Sequence, residues 1–408
     1  MSKIGMVLDA HYPDDIRVRK EANALLPKGY EIVLICYGRK GQPAEEMVNG
    51  ILVKRIINVN NKLVKTFHNS WMALTRQHLF FASGLSRIVK EEGIEVLHVH
   101  DLPMANTSLK VARKHNIPLV LDLHENYPAM VDHNRQHQFS FIQKINYNLL
   151  YRYQPWFRYE RRMIHKADYV ITVVEEMKER IMAMHGLPED KIHIVGNFEE
   201  KEFWENRVLR SDEIDPLIDK NKYNLLYIGG LGAHRGLDTA LKGMSLLKEE
   251  HPDIHFHIVG GGNYMQTLSK MREELNLQAC ATLHGKVPFA LVGPFMKAVD
   301  LNLVPHNSSE HTENTIPHKL FQIMMINVPI LVSSCKPLKR FIEEDDCGYV
   351  FEAGNPKDFA EKIVYIKSHP EEAKEKAALA REITINRGLN WEEKSKSLID
   401  LYKEVLKS

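Results

Sequence analysis

The sequence predicts an α/β protein made of two doubly wound parallel sheets, and three observations carry that reading. Short apolar runs rich in β-branched residues alternate with longer amphipathic stretches, as parallel strands joined by crossover helices do. The series runs once, meets a charged, Asp-rich stretch from about Glu205 to Lys222, and then starts afresh. Glycine and polar residues crowd the positions just after the apolar runs, where doubly wound sheets bind their ligands.

In chain order, the first strands are expected at Ile4–Leu8, Glu31–Cys36, Ile51–Ile56, Val96–His100, Leu119–Leu123, Tyr169–Val173 and Ile192–Val195. The opening run is too short and wrongly flanked for a signal peptide, so it reads as a buried strand. The second series is Leu225–Ile228, His255–Val259, Thr282–His284, Leu301–Val304, Ile330–Val332 and Tyr349–Phe351. These runs divide the chain into a first domain over 1–204, a linker over 205–222, a second domain over 223–388 and a closing helical segment over 389–408. In that last segment, Leu389 to Tyr402 places apolar residues at helical spacing.

Composition narrows the function. The chain has 408 residues, with Lys+Arg 54 against Asp+Glu 53 and a net charge of +1. Bulk electrostatic capture of nucleic acid is not indicated, and no nucleic-acid partner is expected. Cys36, Cys280, Cys335 and Cys347 lack C-x-x-C spacing, which argues against a zinc knot or disulfide framework and fits a reducing, cytoplasmic setting. No apolar run is long enough to span a bilayer, so any membrane contact is expected to be peripheral.

Two stretches carry most of the chemistry. Asn224 to Asp238 and Asn314 to Pro329 each begin near the end of a strand-like run and lead toward a helix-like one. Backbone N–H groups and one cation apiece, Arg235 and Lys319, are thereby placed where a diphosphate could dock. A lone basic residue at such a junction is ordinarily a solvated charge; the pair points to function. Gly229, Gly230, Gly232 and the Gly260 to Gly262 cluster admit two readings, tight turns or close approach to a ligand. Pro317 suits the first turn of any helix.

Read in order, Pro13 to Glu21, Asp122 to Pro128, Ala167 to Val173, Gly229 to Gly236, Ile258 to Gly262, His284 to Pro288, Ala298 to Asn302 and Lys319 to Gln322 resemble glycosyltransferase family 4 over nearly the whole chain. The resemblance implies the GT-B architecture, two Rossmann-like domains with a cleft between them and a last helix that crosses back onto the first. It implies a retaining, hexosyltransferase-type enzyme that moves a sugar from a nucleoside diphosphate sugar, by default a UDP-sugar, to a saccharide or lipid-linked acceptor. Cell-surface polysaccharide or glycoconjugate biosynthesis is the expected setting. Negative charge builds on the leaving diphosphate, which is what Arg235 and Lys319 would stabilise. His124 and Glu125 are the implied first-domain reactive residues, with His11, Asp14, Arg17, His100 and Asp101 on the acceptor side. Gly261, Gly262, Lys286, Val287, Thr315 and Ile316 complete the expected donor contacts.

The chain also departs from the family pattern. Where two glutamates commonly flank the helix start, the register gives Asn314 and Gln322, with Glu310 and Glu313 on the preceding loop. An amide still hydrogen-bonds ribose, without the charge-assisted strength of a carboxylate. Gly230 stands directly after Gly229 and Arg235 takes a position where lysine is frequent, so one phosphate cation is missing. These substitutions motivate an alternative, a catalytically silent nucleotide-sugar-binding paralogue acting as an assembly partner. A nicotinamide-dependent oxidoreductase ranks lower, because no full G-x-G-x-x-G follows the first strand.

No metal is expected: His100-Asp101, His11 and Asp14-Asp15 come from separate strand ends without ligand spacing. No cofactor is expected beyond the nucleotide-sugar co-substrate. Finally, aromatic and arginine residues interleave over 146–162. That stretch reads either as a peripheral contact with an anionic membrane or as a helix packing on the first domain with its arginines in water.

Overall fold

The computed structural model describes residues 2–13, 15–56, 62–78, 81–136, 148–205 and 212–407. Asp14 and the first two residues of the 146–162 stretch therefore lie outside the described residues. The chain divides into two compact units, Met1–Gly196 with Lys394–Ser408 and Asn197–Glu393.

The first unit carries an eight-stranded sheet. Its strands are β1 (Lys3–Val7), β2 (Glu31–Cys36), β3 (Glu45–Val48), β4 (Ile51–Arg55), β5 (Val96–His100), β6 (Leu119–Leu123), β7 (Tyr169–Thr172) and β8 (Ile192–Ile194). They lie in the order β3-β4-β2-β1-β5-β6-β7-β8. Every pairing is parallel except β3 with β4. Strand β3 went unread in the sequence because Glu45-Glu46-Met47-Val48 sits at an exposed edge, where charge is a protective feature rather than a strand signal. Strand β1 lies between β2 and β5, so the winding reverses there and the segments after β1 and β5 meet at one sheet edge. Helix α1 (Ile16–Leu25) follows, its first turn capped by Asp15, whose Oδ1 accepts from the Arg17 N–H at 3.0 Å.

The second unit carries six parallel strands, β9 (Tyr223–Ile228), β10 (Ile254–Val259), β11 (Ala281–Gly285), β12 (Leu301–Val304), β13 (Ile330–Ser333) and β14 (Tyr349–Phe351). Their order is β11-β10-β9-β12-β13-β14. The reversal falls between β9 and β12, which sets the loop after Ile228 beside the loop after Val304. Leu225, Tyr227, Phe256, Ile258, Leu301 and Leu303 build the core against Leu237, Leu241 and Met244 of helix α2 (Leu237–Leu247).

Residues 212–222 of the expected linker belong to the second unit. Ile214 and Ile218 are buried, and the Asn224 amide donates to the Asp219 and Lys222 carbonyls at 3.0 and 2.8 Å. The charged composition hides these anchors. At the other end, helix α4 (Lys396–Val405), counted after the site helix α3 (Lys319–Met325), returns to the first unit. It buries Leu398, Leu401, Tyr402 and Val405, each worth roughly 1.5–3 kcal/mol, which fixes the tail to that core. Among the described residues, no helix is long and apolar enough to cross a membrane.

The second sheet holds a polar ladder on one face. His257 reaches His284 through Nδ1 at 2.9 Å and the Asn224 side-chain oxygen through Nε2 at 3.1 Å, and His255 meets Thr282 at 2.9 Å. Burial first, then the neighbouring histidines, pushes His257 down to about 3 and His255 down to about 4; Lys222 adds to both. A depressed histidine leaves the folded state short of a proton that the unfolded chain binds, so stability is full above the ordinary value of 6.5 and falls as pH drops below it. For His257, lowering the pH from about 7.5 to about 5 costs about 2 kcal/mol. Urea midpoints across that range should fall, and His257→Asn should flatten the slope; an unchanged slope would contradict the ladder's neutral state.

Candidate functional site

The end of β9 is shaped for close approach. Gly229 sits at φ +143°, and a Cβ there would lie 2.6 Å from Lys319 Nζ. At the end of β10, a Cβ on Gly260 would come within 1.8 Å of the Gly229 carbonyl oxygen, and one on Gly262 within 2.1 Å of the Leu231 oxygen. Gly260 and Gly262 therefore pack backbone on backbone, as tight turns at adjoining strand ends require. Gly230 has open space at its Cβ position, Gly232 lies under the His234 ring, and Gly261 lies under the Lys286 stem.

Lys319 opens α3, and its Nζ is buried without a hydrogen-bond partner among the described residues. The ammonium lies 3.7 Å from the Tyr227 ring centroid, while the Tyr227 hydroxyl donates to the Gly230 carbonyl at 2.7 Å. A cation–π contact offsets only part of the cost of burying a charge. Burial, with Arg235 adding repulsion, drives Lys319 well below the ordinary lysine value. Arg235 Nη1 meets His306 Nε2 at 3.0 Å. His306 is in turn pushed well down by burial, Arg235 and Lys319, with His234 and His311 contributing. The arrangement is a concentration of basic groups beside exposed backbone, and an anion is the ligand that relieves it.

The other expected donor residues are placed less uniformly. Lys286 is exposed and Val287 half-buried at the end of β11. Asn314 donates to the Glu310 carbonyl at 2.6 Å, and the Thr315 hydroxyl to the His311 carbonyl at 3.1 Å. The Ile316 carbonyl accepts from Asn197 at 3.3 Å. Glu313 accepts from the Ser308 hydroxyl at 2.5 Å and the Lys336 N–H at 2.8 Å, which commits both its oxygens. Gln322 is buried and donates to Glu199 Oε2 at 2.7 Å, the same oxygen that lies 3.2 Å from His318 Nε2. The amide expected to face ribose is engaged by a glutamate that the motif register does not point to.

In the first unit, the ends of β5 and β6 and the start of α1 converge. Asp15 holds Arg17 by two contacts, at 3.1 and 2.7 Å, and Arg17 Nη2 lies 3.8 Å from Asp101 Oδ2. Burial alone would raise the Asp15 carboxyl; Arg17 overrides it and keeps it well below the usual range. Asp101 sits at φ +67°, an uncommon conformation for a residue with a Cβ, with its N–H donating to the Asp122 carbonyl at 2.8 Å. His124 Nε2 lies 3.0 Å from Asp122 Oδ2 and 3.2 Å from His100 Nδ1. Burial opposes charge on His124, and the Asp122 carboxylate wins and raises it. His100 goes the other way, down to about 3, through burial and His98. Glu125 is half-buried within electrostatic reach of Arg17, whereas His11 turns aside to the Tyr37 carbonyl at 3.0 Å.

Sequence reasoning missed Glu21, His98, Asp122, Glu199, Tyr227, His306 and Tyr402 as parts of these clusters, whereas Asp15 stood out beside Arg17 and pairs with it. A signal existed for two of them: His98 and His100, like Asp122 and His124, are spaced by two, which puts each pair on one side of its strand. Their ligand atoms also lie close together. Glu21, His98, His100 and Asp122, all buried, each offer one within 4.8 Å of the others, a mixed nitrogen and oxygen donor set that the strand-end spacing did not reveal. Of the two readings of the aromatic stretch, its described part takes the second, a packed helix with arginines in water: helix Tyr153–Lys166 buries Trp156 beneath the Arg76 guanidinium at 3.6 Å, while Arg158, Arg161 and Arg162 are exposed.

Comparison with known proteins matches residues 16–198 to Glycosyltransferase Family 4 and residues 210–382 to Glycosyl transferases group 1. A D-inositol 3-phosphate glycosyltransferase of Thermomonospora curvata is 20% identical, the match covering 93% of this chain and 88% of that protein. An uncharacterised glycosyltransferase of Methanocaldococcus jannaschii is also 20% identical, over 83% of this chain and 81% of its own. Among solved structures, sucrose-phosphate synthase from Thermosynechococcus elongatus superposes with a TM-score of 0.80 at 15% identity, covering 100% of both chains. Anabaena HepE in complex with UDP-glucose gives 0.73 at 12% identity, covering 99% of this chain and 100% of that one. With both halves matched in chain order and both sheets doubly wound, the chain belongs to the GT-B glycosyltransferases of the family 4 type.

Proposed function

We propose that this enzyme transfers a hexose from a UDP-sugar to a saccharide or lipid-linked acceptor with retention of anomeric configuration, without a metal, in the assembly of a cell-surface polysaccharide or glycoconjugate. The observation that carries the donor half is the buried Lys319 side chain, without a hydrogen-bond partner among the described residues, beside the Gly229 strand end. A diphosphate at this point would give Lys319 and Arg235 a shared counter-charge and would gain most as the glycosidic C–O bond breaks and charge accumulates on it. UDP and UDP-glucose bound in Anabaena HepE support a uridine donor by analogy of fold alone.

On the acceptor side, His124 would hold the incoming hydroxyl or a donor-sugar oxygen, with Arg17 and Asp101 nearby. A retaining reaction of this kind needs no protein nucleophile; the leaving phosphate takes the acceptor's proton on the same face. A cytoplasmic enzyme with a peripheral membrane contact fits a lipid-linked acceptor. Support for that contact is a groove of about 550 Å³ lined by Arg135, Arg152 and Arg158 among others. One observation favours the silent-paralogue alternative: Gln322 and Glu313 are both engaged by protein partners.

A thermal-shift panel of nucleotide sugars separates these readings. A true donor at about 100 times its Kd should stabilise the fold by about 2.7 kcal/mol. Turnover of the stabilising donor should then release nucleoside diphosphate and give a product of retained anomeric configuration by NMR, with activity unaffected by chelator. Stabilisation without turnover would favour the silent paralogue, and an inverted product or chelator-sensitive activity would refute the mechanism. Lys319→Met makes a sharper test, since replacing an unpaired buried cation should stabilise the ligand-free chain by about 1–3 kcal/mol while abolishing the donor's thermal shift. A destabilised variant that still binds donor would show Lys319 to be a structural residue.

A further inference from the structure

We propose that the helix Lys62–Thr75 lays an exposed apolar ridge, Phe67, Trp71 and Leu74, on the surface of an anionic lipid bilayer, with the arginine groove beside the helix Tyr153–Lys166 against the headgroups. The proposal deepens the lipid-linked-acceptor reading given above and rests on it.

The helix turns its larger apolar side chains outward. Phe67, Trp71 and Leu74 follow one another at steps of four and three, which puts them on one face, and they are 60%, 38% and 72% exposed. The inward side carries Met72, Ala73 and a buried histidine, His68, whose Nε2 lies 3.0 Å from the Tyr37 hydroxyl. That hydroxyl lies 2.8 Å from His78 Nδ1, and His78 Nε2 is 3.9 Å from Asp9. The helix is thereby seated on the strand ends of β1 and β2. Scattered exposed apolar residues are ordinary, whereas three on one helix face, with the Phe67 and Trp71 rings 6.3 Å apart, mark a contact surface.

Charge decides what covers the ridge. The chain is nearly neutral at +1, yet no acidic residue occurs between Glu46 and Glu91 or between Asp132 and Glu160, while lysine and arginine recur through both stretches. Phe67, Trp71 and Leu74 lie in the first stretch, and Leu149, 70% exposed, lies in the second. The two stretches meet where the Arg76 guanidinium packs on Trp156 at 3.6 Å. Trp156 is committed there, so the apolar contact comes from the neighbouring helix. Some of the charge is internal: Lys54 and Arg55 pair with Glu45, Glu46 and Glu92, and Arg135 with Asp132. Arg152 and Arg158 are exposed, and the groove they line with Arg135 holds no acidic side chain. Bare aromatic and aliphatic side chains beside such arginines are the composition of an interfacial element on anionic lipid. A second copy of the chain fits worse, because a two-fold contact sets this basic patch against itself. Docking places the strand ends of β1 and β2 beside the lipid, where a lipid-linked acceptor is presented.

The test is flotation of the full chain, without donor, on phosphatidylcholine vesicles with and without about one-third phosphatidylglycerol. The wild type should float with the anionic vesicles and not with phosphatidylcholine alone, and raised salt should release it. Phe67→Gln with Leu74→Gln should weaken binding about tenfold or more, and Arg152→Gln with Arg158→Gln roughly fivefold per arginine. All four side chains are exposed, so each variant should keep the wild-type Tm. Trp71 emission should shift to the blue on docking, a shift that Trp71→Phe removes. No flotation on anionic vesicles, or flotation that both pairs of substitutions leave unchanged, overturns the proposal. So does a wild-type dimer that Phe67→Gln with Leu74→Gln dissociates, because a second copy then covers the ridge. A chain that docks and transfers no sugar sinks the functional reading alone, and one that transfers sugar to lipid without docking sinks this surface alone.

Discussion

A lysine buried without a hydrogen-bond partner among the described residues is the sharpest constraint in the second unit. Lys319 Nζ is packed over Tyr227 at the end of β9, next to a glycine at positive φ, and among the described residues no acceptor reaches it. Such a group is costly in a molecule that needs nothing there, because an ammonium taken from water regains its solvation only through charge or strong hydrogen bonds. The neighbouring Arg235 and His306 compound the cost. Strands β9 and β12 flank the winding reversal, the place where doubly wound sheets ordinarily bind ligands.

The first unit solves a related problem in the opposite way. Its strand ends carry acids and bases in near balance, so Asp15 pairs with Arg17, and Asp122 collects His98, His100 and His124. Nothing there calls for an anion. The cluster is a set of directional contacts gathered around one carboxylate. Strain at Asp101, whose backbone N–H is tied to Asp122, falls in the same place.

Much of this was legible in the sequence, for identifiable reasons. Buried parallel strands are continuous apolar runs, so Glu31–Cys36, Val96–His100, Leu119–Leu123, Leu301–Val304 and Tyr349–Phe351 occur where their residues indicated. Arg235 and Lys319 were visible as cations at strand-to-helix junctions. The edge strand at Glu45–Val48 was hidden because exposed edges carry charge. The apolar anchors Ile214 and Ile218 were hidden within an acidic stretch. Long-range partners left no local trace: nothing around Gln322 announces Glu199, and nothing around His98 announces Tyr402. The stretch around Trp156 left two readings open because arginines on one face of its helix and aromatics on the other are written as a single interleaved run.

On the proposed function, a diphosphate supplies the counter-charge at Lys319. Calorimetric titration with the tightest-binding nucleoside diphosphate, repeated in buffers of different ionisation enthalpy at about pH 8, measures the protons exchanged on binding. Because Lys319 is depressed in the free protein, binding should draw protons from solution, and Lys319→Met should remove that uptake. Tight binding with no proton uptake, or an uptake that survives Lys319→Met, would contradict it.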